Sequence, residues 1–258
     1  YNGEVYDAGK ELTGWSKVGY DDSNWTNTAK MDISKEKLIA PEGPPVKIVN
    51  KLEPVSIEKR EEGWLVDMGQ NMVGWIRIRA TGSSGAKITL RHAEVLDKEG
   101  NMYYDNLRAA KCTNTFILKG GGEESFEPHF TFQGFRYVMV SGYPGELTAD
   151  KIRGMVIHSD MEPSGSFECS EPMINQLQHN IVWGLKGNFL DVPTDCPQRD
   201  ERLGWTGDAQ VFAPTACFNM NAATFYRKWL KDLAADQRED GAIPHVVPDI
   251  LGGVGATG

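Results

Sequence analysis

Trp64-Leu65-Val66-Asp67-Met68-Gly69-Gln70-Asn71-Met72-Val73-Gly74-Trp75-Ile76-Arg77-Ile78-Arg79 sets two alternating apolar and polar runs on either side of a Gly-Gln-Asn break. A period near two, carried by Val, Ile and Trp, is the pattern of a half-buried strand, because successive side chains point to opposite faces. The stretch predicts two strands, 64–68 and 75–79, joined by a turn at Gly69-Gln70-Asn71. Working outward, the same period recurs at Lys87-Ile88-Thr89-Leu90-Arg91, at Thr115-Phe116-Ile117-Leu118, at Phe135-Arg136-Tyr137-Val138-Met139-Val140 and from Lys151 to Ile157. Gly82-Ser83-Ser84-Gly85 and Gly120-Gly121-Gly122 separate these runs, and no helical pattern lies between them. Short strands punctuated this way predict an antiparallel β-sandwich over 51–165. The triple glycine lacks the Lys and Ser that follow in a phosphate loop, so it reads as a turn.

On the C-terminal side the period changes after Phe167-Glu168-Cys169-Ser170. Ser170 reads as an N-cap with Pro172 in the first turn, and apolar residues then fall at Ile174, Leu177, Ile181 and Leu185. That spacing predicts a helix to about Leu190. Two more helical patterns span Ala209 to Asn219 and Ala222 to Glu239, the last with Phe225, Trp229 and Leu233 on one stripe. On the N-terminal side, residues 1–50 hold Gly14-Trp15, Tyr20-Asp21-Asp22-Ser23-Asn24-Trp25 and the breaker cluster Pro41-Glu42-Gly43-Pro44-Pro45. They read as a linker or the tail of a preceding module. The chain is thus a multidomain β plus α protein divided 1–50, 51–165 and 166–258. It begins at Tyr1 without an initiator methionine or apolar leader and ends in the glycine-rich stretch from Gly252 to Gly258, which is expected of a piece of a longer protein.

Composition narrows the function classes. The 258 residues are 40% hydrophobic, enough for real cores and against disorder. The longest apolar runs fall far short of the ~20 residues of a membrane span, so no membrane role is predicted. Lysine plus arginine number 27 against 36 aspartate plus glutamate, a net charge of −9, and such a field repels nucleic-acid phosphates and anionic lipid. Cys112, Cys169, Cys196 and Cys217 are too far apart for a CxxC pair and too sparse for a disulfide scaffold, leaving the redox compartment open between cytoplasm and periplasm.

The chemistry concentrates between the first two helices. Asp191 to Gln210 packs five carboxylates and two arginines around one tryptophan and two prolines. Prolines and glycines fix the backbone while acids and Arg converge, as a preorganised polar pocket requires; a surface salt-bridge loop is the plainer alternative. Glycoside hydrolysis needs one protonated carboxylic acid to feed the leaving oxygen, a second carboxylate as base or nucleophile, and Arg, acids and an aromatic to hold the sugar. Asp208, at the start of a helix where free N–H groups favour the anion, suits hydroxyl binding. Glu201, near Leu203 and Trp205, suits proton donation if it is buried against the indole.

Asp195-Cys196-Pro197-Gln198-Arg199-Asp200-Glu201-Arg202-Leu203-Gly204-Trp205-Thr206-Gly207-Asp208-Ala209-Gln210 resembles the signature of bacterial α-L-rhamnosidases. The resemblance extends to Val5-Tyr6-Asp7-Ala8 and the Trp15 and Trp25 segment, similar to the end of that family's N-terminal module. It also covers Asp67-Met68-Gly69-Gln70-Asn71 with Gly74-Trp75, and His129 to Tyr137, similar to its concanavalin-like β-domain. The helices resemble the opening of its (α/α)6 catalytic barrel. The resemblance implies an inverting hydrolase of terminal α-L-rhamnosyl residues, with Glu201 as general acid and Asp195, Arg199, Trp205 and Asp208 holding the rhamnose. It implies a general base beyond Gly258, and no cofactor or metal. Three helices cannot close a barrel of about twelve. The fragment is therefore expected to be inactive, its helical stripes awaiting the rest of the catalytic domain or a second copy.

Other candidates are weaker. His92, His129, His158 and His179 lack an i, i+4 partner, and metal ligation is not predicted. His245, in a loop after the third helix, could reach a sugar site. Trp15, Trp25, Trp64 and Trp75 could form a stacking platform, although strand tryptophans are more often core. Cys196 has no histidine beside it to activate a thiol. The alternative from another class is a non-catalytic carbohydrate-binding or scaffold protein built on the β-sandwich.

Overall fold

A computed structural model describes residues 1–36, 38–252 and 256–257. Among them, nine strands join in one curled sheet: β1 (Val5–Asp7), β2 (Val46–Leu52), β3 (Ser56–Arg60), β4 (Gly63–Thr81), β5 (Lys87–Ala93), β6 (Thr113–Ile117), β7 (Glu123–Phe126), β8 (Gln133–Ser141) and β9 (Ile152–Ser159). The order is β1-β6-β5-β8-β4-β9-β2, with β3 and β7 also on β4. All pairings are antiparallel except β1 on β6.

The organising element is β4, one strand of 19 residues where two strands and a turn were expected. Its first half, Trp64 to Asp67, pairs with β3 and β8; β8 continues along Met72 to Gly74, and Gly74 to Ile78 pairs with β9. Gly69-Gln70-Asn71 is a bulge between Asp67 and Met72, not a turn, and Gly69 takes the left-handed φ of 74° that the kink demands. The bend turns both halves of β4 around one core, so Val66 and Met68 from before it meet Met72, Ile76 and Ile78 from after it. Phe116, Phe126, Phe135 and Ile152 complete that core.

The stretch read as linker contributes to the sheet. Tyr6 of β1 packs its ring on Phe116 and Phe126 at 5.9 and 5.8 Å, and β2 forms an edge on β9. β1 is three residues long and β2 is mostly exposed, so neither carries a legible period.

Three helices follow: α1 (Pro172–Asn188), α2 (Thr206–Asn219) and α3 (Ala223–Asp236). The cap of α1 is Glu171, whose carboxylate accepts from Met173 N at 3.1 Å, rather than Ser170; Pro172 stands in the first turn as predicted. α2 begins three residues before the apolar pattern does, which puts Asp208 inside its first turn. Met161, Leu185, Phe189, Ala216, Met220 and Phe225 form the helical core, with Phe189 and Phe225 stacked at 4.6 Å. Val73 and Ile157 of the sheet meet Leu190 just after α1 and join the two parts.

The predicted stripes divide. Phe225 and Trp229 are 1% and 2% exposed, each buried side chain contributing roughly 1.5–3 kcal/mol, whereas Ile174 and Leu177 on α1 are 42% and 53% exposed. Val211 and Phe218 on α2 and Leu230 on α3 are exposed as well. No helix among the described residues is long and apolar enough to cross a membrane. The glycine-rich end was read as a loop interior; its residues 253–255 and 258 lie outside the described residues.

Candidate active site

The acidic segment is an irregular loop braced from several sides. After a two-residue hairpin pairing Phe189–Leu190 with Val192–Pro193, Thr194 N donates to Asn188 O at 2.7 Å. Asp195 Oδ1 accepts from Leu203 N at 3.1 Å and closes the loop on itself. Gly204 lies so close to neighbouring chain that a Cβ there would sit 2.3 Å from Val247 O and 2.5 Å from the Trp229 ring. Only glycine permits this approach. Thr206 donates its N–H to His245 O at 2.9 Å, so His245 contributes a backbone carbonyl that anchors the start of α2.

Inside this frame Asp195, Cys196 and Glu201 bring their carboxylate and thiol atoms within 4.8 Å of one another. Glu201 Oε2 accepts from Arg199 Nε at 2.9 Å and lies 2.7 Å from Arg199 Nη2. It also accepts from Arg108 Nη2 at 2.9 Å, while Arg199 Nη2 stands 3.9 Å from Asp195 Oδ2. Two guanidiniums thus meet the carboxylate for which the sequence suggested an indole. The side chains of Asp195 and Glu201 are 9% and 15% exposed, so these charge-assisted bonds are partly shielded from water. Arg108 Nε also donates to Asp200 Oδ1 at 2.7 Å, and this guanidinium holds the Asp200 carboxyl below the usual range.

Burial pushes the Cys196 thiol up to about 12, with the adjoining Asp195 carboxylate adding to the effect. A thiol so held stays protonated, which argues against a nucleophile. The spacing of the three groups alone could fit a cation. Two arginines already on Glu201 Oε2 make it a poor cation site.

Two clefts meet at Asp195. One, about 610 Å³, lies between α1 and α2 and is lined by Thr194, Asp195, Asp208 and Phe212. The other, about 450 Å³, lies between the sheet and α1 and is lined by Asn71, Glu94, Trp183, Asp195 and Gln198. Glu94 accepts from Asn71 Nδ2 at 2.9 Å and Asn106 Nδ2 at 3.2 Å, and burial raises its carboxyl against the opposing pull of Arg199. Of the residues singled out from the sequence, Asp195, Arg199 and Glu201 come together and Asp208 shares a cleft wall with Asp195. Trp205 caps α2 from outside this group; its indole N–H is buried, with no hydrogen-bond acceptor among the described residues.

The sheet supplies residues that local pattern did not point to. Arg108 and Glu94 come from loops after β5, roughly a hundred positions away in sequence, and nothing around either marks it. Arg202 is half-buried, donates to Phe132 O at 2.5 Å and Gln133 Oε1 at 3.0 Å, and lies over the Phe132 ring at 4.8 Å. It ties the loop to the start of β8. The four tryptophans form no common platform: Trp15 pairs with Trp25 at 6.4 Å, Trp64 packs on the sheet core, and Trp75 Nε1 donates to Glu127 at 2.8 Å.

Residues 162–257 match the bacterial α-L-rhamnosidase 6 hairpin glycosidase domain, residues 57–158 the bacterial α-L-rhamnosidase concanavalin-like domain, and residues 1–50 the α-L-rhamnosidase N-terminal domain. An α-L-rhamnosidase of Streptomyces avermitilis is 47% identical over 251 residues, covering 96% of this chain and 24% of that protein. One of Formosa agariphila is 42% identical over 254 residues, covering 97% and 27%. Among solved structures, the α-L-rhamnosidase from Dictyoglumus thermophilum superposes with a TM-score of 0.93 at 43% identity, over 96% of this chain and 28% of that one. The Streptomyces avermitilis α-L-rhamnosidase complexed with L-rhamnose gives 0.92 at 47%, over 98% and 25%. The chain spans about a quarter of the length of the curated relatives it matches.

Proposed function

We propose, for a chain that belongs to the bacterial α-L-rhamnosidase family, that it supplies the acid half of a glycoside hydrolase which releases terminal α-L-rhamnosyl residues with inversion. The observation that carries the reading is the poise of Glu201. Its Oε2 is held by two arginines, while no donor among the described residues reaches Oε1, beside the shielded carboxylate of Asp195. An acid anchored through one oxygen keeps the other available to the glycosidic oxygen. Asp195, Arg199, Trp205 and Asp208 are assigned to the rhamnose ring, whose hydroxyls suit carboxylate and guanidinium partners. The general base is assigned, on the resemblance, to a segment beyond Gly258; an inverting pair of carboxyl groups stands ~6.5–9.5 Å apart with water between. The division at 1–50, 51–165 and 166–258 goes with this reading, the last part opening a catalytic barrel. The remaining helices of that barrel are the partner that covers Ile174, Leu177, Val211, Phe218 and Leu230.

The test is Glu201→Gln in the full-length protein. Turnover of alkyl rhamnosides, whose leaving groups need a proton, is expected to fall about 10²–10⁴-fold, and that of activated aryl rhamnosides much less. Equal losses on both would assign Glu201 to binding instead.

A further inference from the structure

We propose that Arg108, on the sheet side of the site, is a positioning residue that orients the Glu201 carboxylate so that Oε1 faces the scissile oxygen. The inference rests on the reading of Glu201 as the acid. Arg108 acts as a fork: Nε donates to Asp200 Oδ1 at 2.7 Å and Nη2 to Glu201 Oε2 at 2.9 Å, and Ala109 N donates to Asp200 Oδ2 at 3.3 Å. Asp200 is the post and Glu201 the arm. Arg199 reaches the same Oε2, so two planar guanidiniums fix where that oxygen lies and leave Oε1 as the proton-carrying atom.

Backbone strain marks the same place. Among the described residues, the non-glycine positions with left-handed φ are Arg108 at 55°, Cys112 at 47°, Asp191 at 67° and Arg202 at 56°. All four stand on two loops, 105–112 and 191–202, which meet at Glu201. Cys112 Sγ donates to Gln198 O at 3.1 Å and makes a second tie between them. Such conformations are strained and persist where surroundings over-determine them, typically at functional sites. The Arg108 side chain is 49% exposed against 15% for Glu201, and an ion pair formed at such a position only for stability would need no strained backbone at either end.

The experiment compares Arg108→Gln and Arg108→Lys in the full-length protein on an alkyl rhamnoside and an activated aryl rhamnoside, alone and combined with Glu201→Gln. For Arg108→Gln, kcat on the alkyl substrate is expected to fall roughly 10–100-fold, the scale of a misplaced catalytic group, with KM little changed and the aryl substrate largely spared. Arg108→Lys should not restore the rate, since one ammonium cannot bridge Asp200 and Glu201. In the Glu201→Gln background Arg108→Gln should cost nothing further. Additive losses, or equal losses on both substrates with a lowered melting temperature, would overturn the proposal and make Arg108 a structural strut. If Glu201→Gln itself discriminates between leaving groups and Arg108→Gln does not, the positioning role falls while the acid assignment stands. If neither discriminates, both fall.

Discussion

At the scale of single residues, the site depends on which groups carry a proton. Cys196 lies beside Asp195 and Glu201 with no histidine next to it in sequence, and burial and the neighbouring carboxylate push its thiol up to about 12. Cys112, also buried, is raised too. Iodoacetamide at pH 7.5 is therefore expected to modify the exposed Cys217 well before Cys196 or Cys112, as peptide mass spectrometry would show; preferential labelling of Cys196 would contradict the assignment. The trio Asp195, Arg199 and Glu201 was legible because one short, proline-braced run holds it. Arg108 was not, because its partners Asp200 and Glu201 are 92 and 93 positions away and an arginine in a loop has no local pattern.

Among the elements, β4 and β5 carry the lesson about patterns. Period-two runs gave the strands, since alternation reports the pleat directly. Gly69-Gln70-Asn71 has turn composition, but composition does not separate a turn that reverses the chain from a bulge that bends it. The difference lies in β8, which runs past the break and pairs with Trp64 to Asp67 before it and with Met72 to Gly74 after it, while β9 takes only the second half. On β5, His92 is fully buried with Nδ1 2.8 Å from Cys112 O, so Nδ1 carries the proton and Nε2 is bare. Burial pushes this imidazole down to about 4, the Arg202 charge adding to the effect and the Cys112 carbonyl opposing it. A base with a depressed folded-state value binds its proton more readily when unfolded, so stability is lost as pH falls from about 6.5 towards 4. The loss amounts to roughly 3 kcal/mol at the lower end. Urea unfolding at pH 7 and pH 5 should show this acid sensitivity reduced in His92→Leu; an unchanged difference would remove His92 from the account.

For the whole molecule, the two parts play unequal roles. The sheet closes its own core and reaches into the site through Arg108 and Glu94. The helices bury Phe225 and Trp229 but leave Ile174, Leu177 and Phe218 in the open, as suits the start of a larger helical barrel. That division was readable from the change of period after Ser170; which helix faces would be covered was not, because covering is decided by neighbours rather than by spacing. On this account the acid stands in this chain and the base arrives from elsewhere, across room for a water. The most direct measurement is a proton NMR time course of an α-L-rhamnoside cleaved by the full-length protein, read at the anomeric signals before mutarotation. The account predicts β-L-rhamnose as the first-formed product, and α-L-rhamnose appearing first would contradict it.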